Sequence, residues 1–213
     1  MKDIHCAHIA KRLSKFICDA NAEVMRFTKI GDIQRTGCEG FVSGYIASRM
    51  VSENLLIGDV YCEYAALESR VKDLVSEERE GESSREKGRF DVAAFDDNDK
   101  PLMVVEVKRY FGWSPMSEDV RRLKRALDEQ GVSRGGTLRA GAVVGVQTHW
   151  ELGARKASAP ELLEVFEKHI WEDYDVGTWG EFYEEEIALS KTRGSETRSH
   201  PKSITGFAVV IKG

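Results

Sequence analysis

A glutamate and a lysine two residues apart, Glu106 and Lys108, end the otherwise apolar run Leu102-Met103-Val104-Val105-Glu106-Val107-Lys108. Side chains alternate along a strand, so Val104, Glu106 and Lys108 share one face while Met103, Val105 and Val107 share the other. A strand of this composition belongs at the centre of a sheet, covered on both faces. There an ionised group costs several kcal/mol unless it is paired or coordinated. A further carboxylate, Asp91, stands near the start of the preceding apolar run, Phe90-Asp91-Val92-Ala93-Ala94-Phe95. The polar segment Asp96 to Pro101 is turn chemistry, so the two runs read as a β-hairpin whose expected register sets Asp91 against Glu106. Two carboxylates that close repel unless a cation joins them, and oxygen-only ligands favour a hard ion such as Mg²⁺.

Asp91, fourteen intervening residues and then Glu106-Val107-Lys108 behind an apolar strand resemble the active-site signature of the PD-(D/E)XK nuclease superfamily. The similarity covers roughly Glu39 to Gln147, and Glu106-x-Lys108 is the only acidic-x-Lys in the chain. Phe90 stands where the family often has Pro. The order Asp119-Val120-Arg121-Arg122-Leu123 is also similar to the residues after that strand in members of the superfamily. The resemblance implies an α/β fold of the restriction-endonuclease-like type, a central mixed β-sheet flanked by helices. Helical additions are expected at the N-terminus and before the last strand.

By resemblance, Asp91 and Glu106 hold Mg²⁺, or Mn²⁺, with the Val107 carbonyl, and Lys108 orients or deprotonates the attacking water. The implied activity is hydrolysis of phosphodiester bonds in nucleic acid, with DNA the expected partner. In the family a helix ahead of the sheet often adds an acidic ligand, and Glu39 matches. The plainer account of Glu39 is a capping box with Thr36 across a helix N-terminus. Glu63 competes for the same ligand role if its segment is a strand, and is otherwise a surface residue. Two other readings stay open. One is an inactive relative that binds DNA or scaffolds a complex, since fold does not fix function. The other is a non-nuclease α/β protein with Glu106 and Lys108 paired on the surface of an edge strand.

The length of 213 residues fits one domain with additions: an N-terminal helical extension (1–30), a nuclease-like core (36–150), then C-terminal helices and a closing strand (157–213). No apolar run approaches a membrane span, and Met1 leads into a mixed segment with no signal region, so the expected location is the cytoplasm. Cys6, Cys18, Cys38 and Cys62 are dispersed and read as buried free thiols; His5-Cys6-Ala7-His8 matches no zinc spacing. The net charge of -5 argues against a broadly basic nucleic-acid coat but leaves room for a local basic groove. With the additions at both ends, it points to a homodimer or a partner subunit.

Lys2 to Thr28 carries Ile4, Ile9, Leu13, Phe16, Ile17 and Val24 at helical spacing, with a break expected near Asp19 to Asn21. Phe41, Tyr45, Ile46 and Met50 form the inner stripe of a second helix. Gly58 to Ala66 reads as the first strand, although a helix face also fits. The charged segment Glu77 to Lys87 reads as a mobile loop. A helix from Ser117, its expected cap, to Gln130 turns Val120, Leu123 and Leu127 inward. Arg121, Arg122, Lys124 and Arg125 then face outward, as a solvated face or as a stripe that tracks phosphates. Leu138 to Thr148 is a buried strand, ending at a structural His149. Pro160 to Glu172 is a helix and Trp179 to Leu189 another, followed by a polar loop (Thr192 to Lys202) and a last strand (Ile204 to Lys212). The cluster Glu184-Glu185-Glu186 would repel DNA and should lie away from any substrate groove.

Overall fold

The computed structural model describes residues 5–28, 37–56, 59–62, 90–150, 158–186 and 201–213. Along them run α1 (Cys6–Thr28), α2 (Glu39–Ser52), β1 (Val60–Cys62), β2 (Val92–Phe95), β3 (Pro101–Lys108), α3 (Trp113–Gln130), β4 (Ala140–Trp150), α4 (Ala159–Tyr174), β5 (Thr178–Glu186) and β6 (Pro201–Lys212). The strands form one mixed sheet in the order β1-β2-β3-β4-β6-β5. Strands β1, β2 and β3 pair antiparallel, β3 and β4 parallel, and β4, β6 and β5 antiparallel again. A parallel step needs a crossover, and α3 supplies it.

The two faces of β3 go to different cores. Val105 and Val107 join Val92, Ala142, Val144 and Val210 beneath α1 and α2. Val104 joins Ala93, Val143, Phe207 and Val209 beneath α3 and α4. This is an α/β protein with helices on both faces of a mixed sheet, as the alternation along the apolar runs implies.

The expected hairpin is present. Asp96 Oδ1 accepts the amides of Asn98 and Lys100, both at 2.9 Å, and Asp99 takes a left-handed φ of 60° that an aspartate tolerates in a turn. Helix α1 is not broken. It runs through Asp19-Ala20-Asn21 because Ala20 and Asn21 are buried, while Asp19 on the outer side pairs with Lys15 at 2.7 Å. Each large apolar residue it buries, such as Leu13, Phe16 or Ile17, contributes about 1.5–3 kcal/mol, more than the weak propensities of Asp and Asn withdraw.

The segment from Trp179 is a strand, not a helix. β5 pairs with β6 along its whole length, from Thr178 opposite Ile211 to Glu186 opposite Ser203. The glutamate run is a good helix former, but a long partner strand and the half-buried Thr178 to Glu181 override it. Among the described residues the C-terminal part is therefore one helix and two strands, rather than two helices and a strand. Helix α3 starts at Trp113, four residues before the expected Ser117 cap. Pro115 falls in its first turn, where a missing N–H breaks no helical bond. Cys6 and Cys18 are buried free thiols and Cys38 is half-buried; the side chain of Cys62 is not among those described. The segment 77–87, most of Gly58 to Ala66 and most of the loop 192–202 lie outside the described residues. Among the described residues, no helix is long and apolar enough to cross a membrane.

Candidate active site

At the C-terminal end of β3 the antiparallel ladder with β2 comes to its end. Val92 pairs with Val105, and continuing the register by one residue sets Asp91 across from Glu106. Asp91 precedes the strand, and its carboxylate takes over where a main-chain acceptor would stand. Its Oδ2 accepts the Val107 N–H at 2.6 Å. In an extended strand the N–H and C=O of one residue face the same neighbour, so the Val107 carbonyl is also directed to the edge that Asp91 occupies.

Glu106 points to the α3 face and is 1% exposed. Its Oε1 accepts a hydrogen bond from the Arg122 guanidinium on α3. Lys108, on the same face, reaches Asp119 of α3 at 3.2 Å. Arg122 also lies 3.9 Å from the other oxygen of Asp119, and its guanidinium carbon is 5.2 Å from the ring centroid of Phe90. The phenylalanine at the position where the resemblance expects proline thus supplies an aromatic face to Arg122.

Burial pushes the Glu106 carboxyl well above its usual range; Arg122 opposes this, while the neighbouring charges of Asp91 and Asp119 reinforce it. Burial also raises Asp119, against the pull of Lys108 and then Arg122. Three carboxylates, Asp91, Glu106 and Asp119, therefore face two cations, Lys108 and Arg122.

The chain around the site is fixed by packing. Gly145 of β4 pairs with Lys108, and a Cβ there would meet the backbone of Tyr110 and Phe111 at 3.0–3.1 Å. Without one, the chain leaving β3 crosses over β4, where the Phe111 N–H donates to the Val146 carbonyl at 3.1 Å. The Phe111 ring then stacks on Phe207 at 4.2 Å.

Asp91, Glu106 and Lys108 are thus brought to one end of β3. A pair formed by Glu106 and Lys108 on an edge strand is excluded, because β3 lies inside the sheet and each residue pairs with α3 instead. The four basic residues of α3 divide. Arg121 pairs with Glu118 and Lys124 with Asp128 on the outer side, and Arg125 is half-buried. Arg122 turns inward to Glu106, so the expected outward stripe of four is not formed. Glu39 meets Arg109 at 3.1 Å, and α2 covers the face of β3 opposite to Glu106. Cys38 is the N-cap of α2 and makes no side-chain cap bond. Thr36 and Glu63 lie outside the described residues. His149 bonds Thr205 at 2.9 Å, the structural role expected of it. Glu184 to Glu186 are exposed on the edge strand β5, separated from β3 by β4 and β6.

Comparison with family models, curated proteins and solved structures finds no match. What the site can do is therefore read from its own chemistry. Among the described residues, no three His, Cys, Asp or Glu side chains are gathered as a metal cluster. Mg²⁺, however, commonly takes one or two carboxylates and keeps water in its other positions. Asp91 and Glu106, with the Val107 carbonyl directed to the same edge, would be a donor set of that kind.

Asp119 is the member of the site that sequence reasoning missed. The signal was present: Met116, Asp119, Val120, Leu123, Ala126 and Leu127 form the buried stripe of α3, and an aspartate within such a stripe needs a partner.

Proposed function

We propose that this chain is a metal-dependent nuclease of the restriction-endonuclease-like type, hydrolysing phosphodiester bonds of nucleic acid, DNA in the first instance. What carries the reading is the meeting of Asp91 with the buried Glu106 where the β2–β3 ladder ends, with Lys108 projecting from the same face. Carboxylates on paired strands whose charges act on each other, one of them inside a protein core, make chemical sense around a cation. The parallel step from β3 through α3 to β4 also supports it, since that helix provides partners to both Glu106 and Lys108.

In this reading Asp91, Glu106 and the Val107 carbonyl hold Mg²⁺, or Mn²⁺. Bound there, the ion would supply charge neutralisation at the phosphate and a lowered pKa for a coordinated water. The side chains do the rest. The Lys108 side chain is a third exposed, so it can meet both solvent and substrate while Asp119 fixes its direction. It orients the water whose oxygen forms the new bond to phosphorus, and it stabilises negative charge as the phosphorus–oxygen bond to the leaving group breaks. Asp119 acts through Lys108 and is a positioning residue. Arg121 and Lys124 on the outer side of α3 are near enough in sequence to extend phosphate contacts away from the site.

A second reading has its own support. Each member of the Glu106–Arg122 and Lys108–Asp119 pairs already has an opposite charge, as in a site that has become structural. The protein would then bind nucleic acid, or scaffold a complex, without cutting. Incubating plasmid, single-stranded DNA and RNA with the protein in Mg²⁺ and in Mn²⁺, beside Lys108→Ala, separates the two. Cutting by the wild type alone supports the nuclease; binding without cutting supports the second reading.

A further inference from the structure

The position of Arg122 bears on how a divalent ion would share the site. The guanidinium bonds Glu106 Oε1, is flanked by the Phe90 ring and stands 3.9 Å from Asp119 Oδ1, while Lys108 holds Asp119 Oδ2. Glu106 is nearly sealed from water, so its ionised form needs a cation beside it. An incoming divalent ion would bring another cation beside Lys108 and Arg122 and would compete for the same carboxylate. The looser 3.9 Å approach of Arg122 to Asp119 gives the displaced guanidinium a carboxylate within reach, without leaving the face of α3.

Resting on the metal-dependent reading above, we infer that Arg122 is the resident counter-cation of the site, displaced from Glu106 toward Asp119 when a divalent ion binds. Arg122 and the ion are then antagonists in binding, and by linkage removing one strengthens the other. Arg122 is a positioning residue that keeps the buried carboxylate in place until the ion arrives.

The test is isothermal titration of MnCl₂ into the full chain, wild type and Arg122→Gln. It is joined by a ¹H–¹⁵N spectrum of the wild-type arginine Nε–H groups during a Mg²⁺ titration. Arg122→Gln should bind Mn²⁺ about tenfold more tightly, the scale of a typical coupling between two sites. The wild-type Arg122 resonance, assigned by its loss in the variant or from backbone-linked spectra, should shift as Mg²⁺ saturates. Should Arg122→Gln fail to fold, the wild-type spectrum decides alone. Unchanged or weaker affinity in the variant, or an Arg122 signal that stays still at saturation, overturns the displacement while leaving the metal site standing. No ion binding by either protein overturns the displacement and the metal reading together.

Discussion

Replacing Arg122 with methionine removes the cation that faces Glu106 and leaves the hydrocarbon part of the side chain. Breaking a buried pair from one side costs about 3–5 kcal/mol, because an uncompensated charge is left behind. Glu106 is 1% exposed and burial already raises its proton affinity, so it escapes part of that cost by taking up a proton. The lower end, about 3 kcal/mol, is therefore expected in EDTA near neutral pH, and at about 2–4 °C per kcal/mol for a chain of this size the melting temperature falls by about 6–12 °C. Glu106→Gln keeps a neutral acceptor for Arg122 and should cost less, about 1–2 kcal/mol. In the double variant neither charge remains to be compensated. Urea unfolding of the four proteins closes the cycle, with an expected coupling of about 2 kcal/mol. Single costs that add to within about 0.5 kcal/mol in the double variant would refute the claim that these two side chains balance each other inside the core.

Two further predictions concern the frame around the site. A Cβ at Gly206 of β6 would stand 2.2 Å from the Ser14 carbonyl and 3.0 Å from Cys18 of α1. Gly206→Ala should therefore push α1 off the sheet and destabilise by about 1–3 kcal/mol in a urea melt, whereas a neutral result would mean that α1 is not seated as described. Burial first, then the charges of Glu185 and Asp19, push the Cys18 thiol up to about 12 from an ordinary 9.0. Between those values the unfolded chain gives up this proton and the folded chain keeps it, so the Cys18 contribution to stability falls as pH rises above about 9. The same burial should leave Cys18 unlabelled by a thiol reagent at about pH 8 until the protein is unfolded; rapid native labelling at Cys18 would contradict it.

The sequence made the heart of the site legible because strand geometry is strict. A period of two fixes which side chains share a face of β3, while the register that sets Asp91 across from Glu106 also depends on an irregularity between Ala94 and Phe95 beside the Asp96 turn. Helix faces are less strict. Arg122 lies beside Leu123 at the edge of the buried stripe of α3, and its long side chain can swing either to water or to the core. Only the buried charge of Glu106, which sits on another element, decides between them. The same limit explains β5, whose glutamates favour a helix until β6 offers a partner strand. It also explains α1, whose apparent break is closed by burial of Ala20 and Asn21.

Whether the end of β3 cuts nucleic acid is measured most directly with the purified chain and labelled DNA in Mg²⁺, beside Asp91→Asn, Glu106→Gln and Lys108→Ala, each checked for folding by circular dichroism. The expected result is metal-dependent cleavage by the wild type and a fall of about 10²–10³ or more in rate for each folded variant. Full activity in any one of the three would contradict a metal-dependent nuclease built on these residues, as would the absence of cleavage on every nucleic acid in either metal.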